Sequence, residues 1–170
     1  MYAANSASVL GYLLRRSANS DDAADAMAET FMVAWRRIDA VPAGDEARPW
    51  LYGVARRVLA NHRRGERRRS SLADRLRTEL AGASCSASAG LELPEVMAAF
   101  RRLGERDREV LMLEGWEGLG PAEIAAVLGC SRNAARIRLH RARRRLADGL
   151  ARPHPHVREA APAVVKRGAR

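Results

Sequence analysis

Residues 131–147 hold seven arginines, Asn133 and His140, and no acid. Those side chains bind rather than break bonds. A guanidinium pairs bidentately with guanine or neutralises a phosphate, Asn pairs with adenine, and an aliphatic side chain can pack on the thymine methyl. On a helical wheel of about 100° per residue, Ala135, Leu139, Ala142 and Leu146 fall together as a buried stripe. Asn133, Ile137, His140 and Arg144 fall opposite, with Arg136 and Arg141 on the flanks. A helix anchored by one narrow stripe, with such residues on its far side, suits a major-groove reader. The alternative is a solvated surface helix held by i,i+4 ion pairs, but the segment has no acids to form them. The expected DNA contacts are Arg132, Asn133, Arg136, Ile137, His140, Arg141, Arg143 and Arg144, with Arg143 and Arg145, nearer the buried side, reaching phosphates.

Positioning that helix requires a second one and a tight turn. Gly120 suits an N-cap, Pro121 the first helical position, and Glu123 the first turn, where a carboxylate meets the positive helix end. Ile124, Ala125 and Leu128 make an apolar face. Gly129 permits a left-handed stop, and Ser131 caps the next helix. The pattern is a helix-turn-helix.

A formal charge of +10 and a pI of about 11.1 favour a polyanionic partner. Lys166 is the only lysine among 30 basic residues, so the placement of the arginines says more than their number. Cys85 and Cys130 lie in neither a CxxC motif nor a Cys/His cluster, and His154 and His156 sit on a proline-rich tail; no metal or cofactor is expected. No apolar run approaches about 18 residues and no signal-peptide pattern opens the chain, so a cytoplasmic protein without membrane insertion is expected.

The remaining elements read as helices, with no strand-like alternation, giving an all-α fold of two small helical domains. A short amphipathic helix over 7–16 carries Val9, Leu10, Leu13 and Leu14. A longer helix, capped by the 19–22 cluster, runs to about Ile38, with Met27, Phe31, Trp35 and Ile38 as its expected buried stripe. In a third, over 48–64, Trp50, Leu51, Val54, Ala55 and Val58 face inward and Arg56, Arg57, Asn61, Arg63 and Arg64 do not. That basic face suits single-stranded or melted nucleic acid, against a plainly solvated charged face; Trp50 reads first as core. The first domain is expected over 1–69. A linker over 70–92 includes Leu72, Leu76 and Leu80 at helical spacing and then small polar residues. The second domain, over 93–150, packs Val96, Met97, Phe100, Val110, Leu111 and Leu113, and a disordered tail over 151–170 follows. With no large interface expected, the two domains would move as tethered bodies.

Three segments in this order resemble bacterial RNA polymerase sigma factors. DAADAMAETFMVAWRRID, 22–39, resembles their core-binding helix; RPWLYGVARRVLANHRR, 48–64, their promoter-melting helix; and 103–146 their carboxy-terminal domain. Two domains with a short linker resemble the extracytoplasmic-function group. The resemblance covers about 7–150 and implies a non-enzymatic subunit that gives core polymerase its promoter specificity. It implies that the helix bearing Asp25, Glu29, Phe31 and Trp35 docks on the clamp helices of the largest polymerase subunit. Phe31 and Trp35 read as chiefly core, which leaves Asp25 and Glu29 as the better contacts. It further implies that Trp50, Arg56, Arg57, Asn61, Arg63 and Arg64 hold the melted −10 element around a flipped base. Arg136, Ile137, His140 and Arg141 would read or flank the −35 element. Implied partners are promoter DNA, the flap of the second-largest polymerase subunit and an anti-sigma factor. Arg57 stands where the family often has Asn, and Asn133, Ala134 and Ala135 where Gly-Thr-Val is common. A stand-alone helix-turn-helix regulator would leave 22–39 and the basic third helix unexplained; a DNA-acting enzyme would need a catalytic cluster on strands.

Overall fold

The computed structural model describes residues 1–73 and 94–151. Most of the expected linker and nearly all of the expected tail, with Cys85, His154 and His156, lie outside the described residues. Those described form seven α-helices and no strand: α1 (Tyr2–Leu14), α2 (Ser20–Arg36), α3 (Ala47–Ala73), α4 (Pro94–Arg102), α5 (Glu105–Gly115), α6 (Pro121–Leu128) and α7 (Arg132–Ala151). Two short 3₁₀ turns, Ile38–Ala40 and Gly44–Glu46, carry the chain from α2 to α3.

The helix ends follow local chemistry. Asn19 accepts from the Asp22 amide at 2.8 Å and starts α2. The Gly120 amide donates to Glu123 Oε2 at 2.7 Å, Pro121 opens α6, and Gly129 closes it at φ +64°. The Ser131 hydroxyl accepts from the Ala134 amide at 3.2 Å and starts α7.

Packing departs from the sequence reading in two places. In α1, Val9, Tyr12 and Leu13 are buried while Leu14 is exposed. In α2 the buried face is Ala23, Ala26, Thr30 and Ala34, one position back from the expected stripe. Met27 and Phe31 pack partly against the core, but Trp35 is 77% exposed and Ile38 is also exposed. Trp35 is therefore not a core residue. The small side chains let α2 lie close on its neighbours, and Thr30 is buried without polar cost because its hydroxyl donates to the Ala26 carbonyl at 2.6 Å.

In the structure the two expected halves are in contact. Helix α3 packs on α6, and the buried residues of both halves belong to one continuous apolar cluster, from Val9 through Leu51 and Val58 to Val110, Ile124 and Ala142. At Gly53 a Cβ would stand 3.6–3.7 Å from the carbonyl oxygens of Val127 and Ala126, so the two helices meet at van der Waals distance there.

Candidate nucleic-acid interface

Helix α7 is seated by Ala135, Leu139 and Ala142, all buried, with Leu146 packed against the same core. It rests on α4, α5 and α6. Fixing that stripe turns the opposite side outward: Arg132, Asn133, Arg136, Ile137, His140, Arg141, Arg143 and Arg144 are all exposed. Arg136, Arg141 and Arg144 form no ion pair among the described residues. Ile137 stands 42% exposed in their midst.

Arg143 and Arg145 differ from this group. The Arg143 guanidinium forms a salt bridge with Glu114, and Arg145 lies 2.5 Å from Asp107. The acids missing from 131–147 come from α5, which packs alongside. These two arginines are thus oriented by the domain, whereas the outer row is exposed without such an ion pair among the described residues.

The expected −10 residues divide similarly. Arg56 and Arg57 are exposed on α3. Asn61 Oδ1 accepts from Arg64 Nη2 at 2.6 Å. Trp50 is half-buried against the core and borders an open cleft with Arg57, Gly53, Pro49 and Ala126. Arg63 is already engaged: its guanidinium lies 2.6 Å from Glu105 of α5 and donates to the Arg16 carbonyl at 3.1 Å. On α2, Asp25 is exposed, Glu29 is bonded to His62 at 2.7 Å, and Phe31 meets the Tyr2 ring edge-on at 4.7 Å.

The sequence reading missed a polar cluster between the halves. Arg15 lies 2.6 Å from Glu117, and Arg16 lies 3.0 Å from Glu117 and 3.2 Å from Glu109. The side chains of Arg16 and Glu117 are only 5% and 2% exposed. Tyr12 donates to Glu109 at 3.2 Å, stacks on Tyr52 at 4.8 Å, and carries the Arg16 guanidinium 3.8 Å from its ring centre. Burial, then the Glu109 charge, push the Tyr12 phenol well up, so it remains a donor. Burial works against charge on Arg16, but Tyr12, Glu109 and Glu117 outweigh it and hold the guanidinium pKa above its ordinary value. Burial, followed by the Glu117 charge, also raises the Tyr52 phenol. The adjacent Arg15 and Arg16 and the lone acid in 115–120 were visible in the sequence, but nothing there paired them.

Two family models match the chain: sigma-70 region 2 over residues 1–69 and sigma-70 region 4 over 93–146. It is 30% identical to the ECF RNA polymerase sigma factor EcfG of Rhodopseudomonas palustris over 82% of this chain and 77% of that protein. It is also 30% identical to the ECF sigma factor SigL of Mycobacterium tuberculosis, over 86% and 84%. Among solved structures, the sigma factor RpoE of Bartonella quintana, in complex with the anti-sigma factor NepR, aligns with a TM-score of 0.63 at 26% identity, covering 85% of this chain and 90% of that one. The seven helices of the described residues thus share the all-α fold of a sigma factor. The chain belongs to the ECF group of the sigma-70 family of RNA polymerase sigma factors.

Proposed function

We propose that this chain is a dissociable, non-catalytic subunit that docks on core polymerase through α2, holds the melted −10 element on the basic face of α3, and reads the −35 element with α7. The observation that carries the proposal is the seating of α7. Its buried stripe presents Asn133, Arg136, Ile137, His140 and Arg141 together as an unobstructed hydrogen-bonding and methyl-packing surface. Phosphodiester chemistry stays with the polymerase, and the subunit works in the cytoplasm. The exposure of Trp35 beside exposed Met32 and Ile38 supports docking of an apolar partner on the end of α2. The NepR-bound state of the Bartonella relative supports an anti-sigma factor as a further partner.

Run-off transcription with core polymerase on a randomised promoter library tests this directly. Enrichment of paired −35 and −10 elements is the expected result. Transcription no greater than with core alone would refute it.

A further inference from the structure

A cleft of about 220 Å³ opens where α1, α3 and α5 meet, and its charged lining is chiefly cationic. Arg16, Arg56, Arg63 and Arg106 line it, against two carboxylates, Glu105 and Glu109. Leu59 and Ala60 give it an apolar wall. A concave site with one prevailing charge concentrates counter-ions far better than a flat basic surface does. Its volume is below the roughly 300–1,000 Å³ of pockets that enclose a whole small molecule. It therefore suits the charged end of a ligand, with the rest of that ligand outside.

The four arginines are not equally committed. Arg56 and Arg106 are exposed and form no ion pair among the described residues. Arg63 is held at 2.6 Å by Glu105, through side chains 47% and 68% exposed. So exposed a pair contributes little, and its carboxylate stands where the oxygen of an anionic ligand would sit. Arg16 differs: its side chain is only 5% exposed, and its Nε donates to Glu109 at 3.2 Å. Nη2, on the same edge of that guanidinium, is buried without a protein partner, so one further anionic oxygen would complete its bonding. The amino end of α5 acts in the same sense. Gly104 has no side chain to cap this 11-residue helix, and Glu105 and Arg106 stand in its first turn. A guanidinium fork matches two phosphate oxygens, so several converging forks call for more than one phosphate.

We propose that this cleft binds a free oligophosphate, the di- or triphosphate chain of a nucleotide or its inorganic counterpart, with Arg56, Arg63 and Arg106 on the phosphates and Glu105 displaced from Arg63. A DNA backbone offers the same oxygens, but its charges are spread one to a phosphate along the strand. An oligophosphate concentrates several charges within the span of the cleft. The site does not depend on the promoter reading. Where that reading holds, Arg56 and Arg63 serve both ligands, so strand and oligophosphate compete.

Calorimetric titration of the full chain with tripolyphosphate, ATP and orthophosphate tests the site. Tripolyphosphate should bind one to a chain and at least about tenfold more tightly than orthophosphate, since each added bond between charged groups contributes about tenfold or more. ATP should bind comparably to tripolyphosphate, because its nucleoside stays outside. Arg106→Gln should lower the tripolyphosphate affinity at least about tenfold. Arg138→Gln, which removes the same charge from the exposed side of α7, should leave it unchanged. Glu105→Gln should tighten binding, whereas Asp25→Asn, which removes the same charge from α2, should not. Arg106 is exposed and none of the expected DNA contacts, so Arg106→Gln should keep its helical circular dichroism and its binding of single-stranded DNA. Equal losses in Arg106→Gln and Arg138→Gln, or orthophosphate bound as tightly as tripolyphosphate, would reduce the cleft to general basic charge and overturn the proposal. Binding of single-stranded DNA without any saturable binding of tripolyphosphate would also overturn it and assign the cleft to a strand backbone. A chain inactive with core in run-off assays would instead overturn the proposed function, leaving the titrations to stand on their own.

Discussion

Trp35→Ala separates a folding role from a docking role more sharply than any other change. The sequence places Trp35 on a buried stripe, where truncation would cost about 3–5 kcal/mol of stability. The structure leaves the residue 77% exposed. A tryptophan offers up to about 250 Å², so about 60 Å² is covered in the fold and about 190 Å² is open. At about 25 cal/mol per Å², the covered part contributes at most about 1.5 kcal/mol to folding, and the open part up to about 5 kcal/mol to a partner that covers it. Ordering costs at an interface reduce the second figure, and tryptophan hot spots of about 2–4 kcal/mol are usual. Trp35→Ala should therefore lower affinity for core polymerase at least about 30-fold, while urea unfolding shifts by no more than about 1.5 kcal/mol. Titration of labelled chain with core polymerase measures the first and circular dichroism in urea the second. A stability loss above about 3 kcal/mol, or a core affinity within about threefold of wild type, would refute the reasoning.

Asp25→Arg should weaken core binding with an unchanged melting temperature, because Asp25 is exposed; Glu29→Arg should also lose the bond to His62 and cost up to about 1 kcal/mol, read in the same melts. Ile137→Ser should relax a thymine preference in the −35 element by about 1 kcal/mol and leave folding unchanged, checked by competition across all four base pairs at each position. Equal loss for every base would assign Ile137 to packing. Arg144→Ala should lower the log–log salt slope of DNA binding by about 0.9 if it reaches one phosphate, whereas Arg143→Ala should change it less, since Glu114 already engages that guanidinium. Equal slope changes for the two would show that DNA displaces Glu114.

The sequence by itself determined the all-α class and the capped helix ends, because caps are local, but not the bounds of α1, expected over 7–16 and found at Tyr2–Leu14, or of α3, expected over 48–64 and found at Ala47–Ala73. Asn19, Gly120 with Pro121 and Glu123, Gly129 and Ser131 all act within a few residues of their own position. It also determined the outward face of α7, where a narrow stripe of Ala135, Leu139 and Ala142 amid arginines leaves only one face to bury. Helix α2 offered two faces of the same period, one large and aromatic, one small. Periodicity ranks neither, and close packing of neighbouring helices chose the alanines and turned Trp35 outward. Ion pairs between distant helices carry no period. That Glu114 takes Arg143, that Glu105 takes Arg63, and that Glu117 takes Arg15 and Arg16 across about a hundred residues of chain was decided only when α5 and the turn after it were laid against α7, α3 and α1. Charge complementarity acts through space, and only the tertiary structure brings those charges within reach of one another.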